Sequence, residues 1–227
     1  MSRADRHSRQ RYRVMAPVYD VVSLEWPLYR AGRVAGIRAA RLRPGHQVLD
    51  VGCGTGLSLP LLSDAVGPRG RVIGLDPSTA MLRRAARREV TAGASLLPVD
   101  AAGLRAEDLS GAGVHEPVHA AVFAYSLSVM PDWRPAWAAV TGLLAPGARV
   151  VVVDLAPPTR GGLPARLTAS ALAALGGSDL HARPWQALID TCDDIEHASF
   201  RGGHVQVWAG TLPLPRGQSA ATVPIIP

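Results

Sequence analysis

An α/β fold built on a doubly wound, mostly parallel sheet is the class this chain predicts, and three observations carry that reading. The first is the apolar, β-branched run Val48-Leu49-Asp50-Val51, which leads into Gly52-Cys53-Gly54-Thr55-Gly56 before helical patterning resumes. A short run of that kind reads as a strand buried on both faces. Glycines at alternate positions, lacking Cβ, then permit a sharp turn with exposed backbone N–H groups. The second is the alternation of apolar runs with helical segments along most of the chain, the order that crossover helices impose on a parallel sheet. The third lies near the end, where two apolar runs are separated only by Arg201-Gly202-Gly203, a hairpin signal.

The elements follow in order. Residues 1–11 read as a basic, frayed start, and Tyr12 to Arg43 as helix in two pieces, interrupted at Pro17 and Pro27. Pro44-Gly45 marks a turn and the boundary to the core domain. The first strand is Gln47 to Val51, with its helix from Thr55 to Ala65. Gly67-Pro68-Arg69-Gly70 turns into the second strand, Arg71 to Asp76. Ser78 suits an N-cap for a helix through Arg88, whose Arg83, Arg84, Arg87 and Arg88 form a solvated face. The third strand is Ser95 to Val99, and the fourth His119 to Tyr125, followed by a helix from Pro131-Asp132-Trp133 to Leu144. Ala145-Pro146-Gly147 leads into the fifth strand, Arg149 to Leu155. Residues 156–183 form a Gly/Pro-punctuated insert with one apolar helix, Leu163 to Leu175, and a further helix follows Pro184. The hairpin strands are Ile195 to Phe200 and His204 to Thr211, and 212–227 reads as a Pro-rich irregular tail.

In doubly wound sheets ligands sit beyond the carboxyl ends of the strands. Asp76 ends the second strand twenty residues after Gly56, where a carboxylate can accept hydrogen bonds from the vicinal hydroxyls of a ribose. The glycine spacing, however, is G-x-G-x-G and not the G-x-G-x-x-G of dinucleotide sites. Asp50 would also repel a pyrophosphate, whereas it suits an ammonium or a sulfonium. The pattern D-V-G-C-G-T-G at 50–56 with G-L-D at 74–76 resembles the class I S-adenosylmethionine (SAM)-dependent methyltransferases. Within them it is similar to the small-molecule group containing the quinone-biosynthesis and phospholipid N-methyltransferases, over roughly residues 12 to 210.

That resemblance implies a Rossmann-like, seven-stranded sheet whose last strand is antiparallel, and SAM as cofactor. It implies that Gly52, Cys53, Gly54 and Gly56 line the methionine part, with Asp50 at its charged end. Asp76 would hold the ribose, Met81 would pack on the adenine, Asp100 would approach the adenine amino group, and the Ala101 N–H a ring nitrogen. Asp100 reads equally well as a turn or N-cap carboxylate. Tyr125, Ser126 and Ser128 would face the transferred methyl group. Some N-methyltransferases carry an aromatic residue there in a proline-rich motif that this chain lacks, so Tyr125 also reads as packing at a strand end. His204 follows the hairpin turn at the same pole, where a neutral imidazole can take a proton; cross-strand packing is its plainer reading. His115 and His119 have metal-pair spacing, yet they precede the fourth strand at the opposite pole and read as structural. No metal site is expected.

Composition narrows the rest. At 227 residues with 48% hydrophobic content, one domain with a sizeable core is expected. No apolar run is long enough to span a bilayer, and an Arg- and Ser-rich start without an apolar signal segment points to the cytoplasm. Cys53 and Cys192 make neither a disulfide framework nor a zinc set, and Cys53 inside the glycine turn reads as packing. The chain contains no Lys and no Asn, which removes a Schiff-base lysine. Residues 1–43 hold ten Arg against Asp5, Asp20 and Glu25, so the basicity belongs to this segment and the body is nearly neutral. That charge invites a nucleic-acid reading, but no RNA-binding motif accompanies it, so a nucleic-acid partner is not expected.

Residues 1–43 thus read as a basic, aromatic substrate lid over a SAM-binding domain at 44–211. Tyr19, Trp26 and Tyr29 supply aromatic walls for an acceptor, and Leu163, Leu167, Leu172 and Leu175 an apolar helix face. A small, apolar or aromatic methyl acceptor is expected, with arginines suited to peripheral contact at a membrane–water interface. Two competing functions share the strand–glycine–helix–carboxylate layout: a nicotinamide-dependent reductase, and a non-catalytic SAM-binding protein with a basic arm.

Overall fold

The structure, a computed structural model, describes residues 29–115 and 117–214. Its strands are β1 (Gln47–Val51), β2 (Arg71–Leu75), β3 (Gly93–Leu97), β4 (Val118–Ala124), β5 (Leu144–Leu155), β6 (Asp193–Phe200) and β7 (Val205–Thr211). The helices are α1 (Arg30–Ala39), α2 (Leu59–Val66), α3 (Thr79–Ala85), α4 (Ala106–Gly111), α5 (Arg134–Thr141), α6 (Gly162–Gly176) and α7 (Trp185–Thr191). The strands form one seven-stranded sheet in the order β3-β2-β1-β4-β5-β7-β6. The first five are parallel; β7 runs antiparallel to β5, and β6 antiparallel to β7. The expected doubly wound sheet with a terminal hairpin is therefore observed.

Strand order reverses between β1 and β4, which places a crevice outside their carboxyl ends. Alternation along β5 divides the core. Val150 and Val152 pack with Leu49, Val51, Phe123, Trp137, Trp185 and Leu188 on one face. Val151 and Val153 pack with Val48, Val122, Ile37, Leu62 and Val205 on the other. All four β5 valines are fully buried, as expected for a central strand covered on both sides.

Helix α1 lies on this second face, and two glycines one turn apart let it approach. A Cβ on Gly36 would lie 2.3 Å from Val153 Cγ2, and one on Gly32 would lie 2.5 Å from both Val205 Cγ1 and the Tyr125 hydroxyl. Beyond its C-terminal end Arg41, together with Arg149 on β5, pairs with Asp194 and Glu196 on β6. The segment expected at 12–43 is thus represented by α1; Tyr12, Tyr19 and Trp26 lie outside the described residues.

Several boundaries differ from expectation. The helix after the glycine turn begins at Leu59 and not at Thr55, because Gly56 is held at φ +80° and the chain turns until Ser58. Helix α3 stops at Ala85, three residues short of Arg88, and β3 begins two residues before Ser95. The apolar helix of the insert is present as α6 but presents its leucines outward: Leu163, Leu167 and Leu175 are 68%, 62% and 60% exposed, while Ala169 and Ala173 face the core. Those three leucines therefore point away from the core. Among the described residues no helix is long and apolar enough to cross a membrane.

Candidate active site

The turn after β1 places its three glycines in left-handed backbone, with φ of +70° at Gly52, +55° at Gly54 and +80° at Gly56. Their surroundings differ. A Cβ at Gly52 would meet Ser126 Cβ at 2.5 Å, and one at Gly56 would meet Leu59 and Ala85, but at Gly54 nothing lies within 4 Å. Gly54 alone faces open space, as backbone that approaches a ligand must. Cys53 is buried against Gly74, and its N–H donates to the Leu75 carbonyl at 2.9 Å. Burial pushes its thiol well above the usual range, so it packs as an inert residue.

Asp50 sits inside β1, opposite Gly74 on β2 and Val122 on β4. Its carboxyl is pushed up to about 7, chiefly by burial, with Arg33 opposing and Asp76 adding to the shift. Its Oδ2 is buried without a hydrogen-bond partner. A buried orphan acceptor is costly unless something meets it, and a cationic ligand group would. Asp76 stands just past β2, where its Oδ2 accepts from the Gly54 N–H at 3.0 Å and its Oδ1 from the Ser78 N–H at 2.8 Å. Burial raises its pKa, those two bonds oppose the rise, and nearby Asp100 adds to it. Ser78 caps α3 as expected, accepting from the N–H of the buried Met81. Asp100 is exposed and accepts from the Ala102 N–H at 3.2 Å, capping the short turn Ala101–Gly103. Asp50, Gly54, Asp76, Met81 and Asp100 are thus gathered at the carboxyl ends of β1, β2 and β3.

The neighbouring side of the crevice is formed by β4, β7 and α1. Tyr125 adopts φ +59° and donates its hydroxyl to the Tyr29 carbonyl at 2.7 Å. The two tyrosine rings lie 5.2 Å apart, and Tyr29 is 6.3 Å from the His204 ring. His204 is buried; its Nδ1 meets the Ala156 carbonyl at 2.7 Å, so Nδ1 carries the proton. Nε2 is buried with no partner, which leaves a lone pair in the neutral ring. The Ser126 hydroxyl is likewise buried and unpartnered. Ser128 does not face the crevice as expected: its hydroxyl and N–H both donate to the fully buried Asp154, whose carboxyl burial raises to about 6.

Residues 48–147 match a family described as a methyltransferase domain. Those residues carry a methyltransferase domain. Over 146 residues it is 34% identical to a 2-phytyl-1,4-naphthoquinone methyltransferase of Synechococcus elongatus, covering 63% of this chain and 61% of that protein. Over 149 residues it is 30% identical to a demethylmenaquinone methyltransferase of Bacillus cereus, covering 62% and 59%. The chain thus spans about three fifths of the length of these relatives. The N-methyltransferase NodS of Bradyrhizobium japonicum, solved with S-adenosyl-L-homocysteine, shares the fold with a TM-score of 0.63 at 15% identity, over 91% of this chain and 98% of that one.

The family matched is a methyltransferase domain and not a nicotinamide-dependent reductase. The site also contains a residue that motif reading missed. Arg33 of α1 is only 8% exposed, donates to the Ser58 hydroxyl at 2.7 Å and lies 5.3 Å from the centre of the Tyr125 ring. In the sequence it is one of ten arginines in a segment read as a basic, aromatic lid; its spacing with Gly32, Gly36 and Ile37 on one helix face is the available signal. His119 lies at the opposite pole, accepting from the Gln47 N–H at 3.1 Å and stacking on His46 at 4.3 Å, while His115 is exposed. Among the described residues no group of three His, Cys, Asp or Glu could hold a metal ion.

Proposed function

We propose that this protein transfers a methyl group from SAM to a small, largely apolar or aromatic acceptor of the quinol type, at the crevice beyond β1, β2 and β4. The observation that carries the donor half is the open face at Gly54, bracketed by Asp76 on one side and the unpartnered Asp50 Oδ2 on the other. When bound, SAM supplies a methyl group already activated by a sulfonium, so the protein's task is alignment and exclusion of water. Gly52, Cys53, Gly54 and Gly56 line the methionine part through backbone, with Asp50 against its ammonium. Asp76 accepts from the ribose hydroxyls. Met81, Asp100 and the Ala101 N–H bound the adenine.

On the acceptor side, His204 receives a proton from the acceptor hydroxyl or ring carbon at its Nε2, with Nδ1–H held by Ala156. Tyr125 positions Tyr29 through its hydroxyl, and Tyr29, with Tyr19 and Trp26, supplies the aromatic wall. The acceptor class is supported by the names of the two quinone methyltransferase relatives. The outward leucines of α6 support contact with a lipid surface. Arg160 and Arg166 lie beside them, and residues 156–178 contain no Asp or Glu to repel anionic headgroups. Two free, buried thiols support a cytoplasmic setting. A screen of isotope-labelled methyl transfer to quinols, catechols, phospholipids and small amines tests the reading. Transfer to a quinol is expected. Binding of NADH with no binding of SAM overturns it, as does transfer confined to small polar amines.

A further inference from the structure

We propose that the groove between the start of α5, the 177–183 loop and α7 is a second ligand site, suited to a small aromatic carboxylate. Two adjoining hollows of about 480 and 400 Å³ share Trp133, Arg134, His181 and Ala182, so they form one groove of the size that small ligands fill. Trp133 and Trp137, each 7% exposed, give it an aromatic floor. Basic groups stand around that floor. Arg134 is held 4.8 Å from the centre of the Trp133 ring, which steadies its planar fork, and its ion-pair contact with Asp132 is long, at 4.0 Å. His181 and Arg183 line the groove beside it. The two carboxylates on the rim are engaged by their own segments: Asp179 accepts from the His181 N–H at 2.8 Å, and Asp190 from Gln186 Nε2 at 3.0 Å. Among the described residues, neither pairs with the Arg183 guanidinium or the His181 ring. Arg183 also adopts φ +44° directly before Pro184, left-handed backbone that is costly for a residue with a Cβ. The buried Pro184 and Trp185, which open α7, hold it there. Cations without carboxylate partners around an indole floor suit a flat anion, whose ring covers apolar surface and whose carboxylate takes an arginine fork. The groove adjoins the donor turn, since Met130 on its wall lies 3.8 Å from where a Cβ on Gly52 would stand.

The probe is 2-naphthoate, with the neutral 2-naphthamide as its isostere. The full-length protein is titrated with each, with and without S-adenosylhomocysteine, while the indole N–H signals of Trp133 and Trp137 are followed by NMR. Naphthoate is expected to bind about 10-fold more tightly than the amide, and to lose that margin at high salt. Arg134→Gln and Arg183→Gln are each expected to weaken naphthoate about fivefold and leave the amide unchanged. Arg183→Gly is expected to weaken it likewise without lowering the melting temperature, because glycine accepts the left-handed backbone. Equal binding of the two probes overturns the proposal without needing any variant to fold. Displacement of naphthoate by S-adenosylhomocysteine overturns it too, since the acid would then occupy the donor's site. So does unaltered naphthoate affinity in both glutamine variants. Labelled methyl transfer from SAM to 3-hydroxy-2-naphthoate supports the site as the seat of an acceptor's acid end, and charge-dependent binding without transfer supports it as the seat of an effector. If S-adenosylhomocysteine and SAM both fail to bind, the donor reading falls while the comparison of acid with amide still decides the groove.

Discussion

At the scale of single residues, Asp50 and Asp76 show how one carboxylate can be legible and its chemistry still hidden. Both were apparent from their place against the glycines, but the burial that raises Asp50 to about 7 depends on β2 and β4 closing around it. A buried acid with a raised pKa holds its proton in the folded chain and loses it in the unfolded one. Stability therefore falls as pH rises from about 4 towards 7 and is level above that. Asp154, raised to about 6, adds to the same slope. We expect Asp50→Asn to flatten the decline, read from denaturant midpoints between pH 4 and 8, and to raise stability at pH 7.5 while weakening SAM binding. Because the ammonium needs the ionised carboxylate, SAM binding to the unaltered protein at pH 6.5 should release a proton, visible as a buffer-dependent enthalpy. Asp76→Ala should cost donor affinity about 1.5–3 kcal/mol with the fold intact. Gly54→Val should do at least as much harm, since its Cβ would enter the ligand's space. His204→Ala should lower kcat by about 10²- to 10⁴-fold with SAM affinity unchanged, whereas His115→Ala and His119→Ala should leave turnover nearly unaltered.

At the scale of elements, strands and their order were readable because apolar runs bounded by glycine and proline leave few alternatives. The edges of helices were less so. Left-handed Gly56 delays α2 by four residues, and no propensity rule marks that; the turn's shape is set by Ser126, Leu59 and Ala85 around it. Helix α1 was the largest gap. The arginines and tyrosines of its segment read as a basic, aromatic lid, yet Gly32 and Gly36 seat the helix on Val153 and Val205, and Arg41 ties its end to Asp194 and Glu196. Gly36→Leu should destabilise the protein by about 1–3 kcal/mol through overpacking. A drop in melting temperature of the variant measures this.

At the scale of the whole molecule, the proposed donor half is carried by the motif at 50–56 with Asp76, Met81 and Asp100 after the next two strands, while the proposed acceptor half draws on Tyr29 before α1, Tyr125 after β4 and His204 before β7. That is why the cofactor could be read from spacing and the acceptor could not. The outward leucines of α6 belong to this scale too. Changing Leu163, Leu167 and Leu175 together to Ser should leave SAM binding and transfer to a short-chain, water-soluble quinol intact. Transfer to the same ring carried on a long chain in anionic vesicles should fall.

The seat of α1 has a consequence in time. The helix comes first in the described chain, yet it rests on β7, the last strand, as well as on β5. The hairpin in turn is latched to the chain leaving β5, through Ala156 N–H to His204 and Thr159 N–H to Gly202. As the chain leaves the ribosome, β1 to β4 can pair while α1 still waits for its floor. Contacts of such long sequence separation form slowly, so the opening helix should be among the last parts to gain protection from hydrogen exchange. During that interval the valines it covers, Val151 and Val153, stay exposed to aggregation.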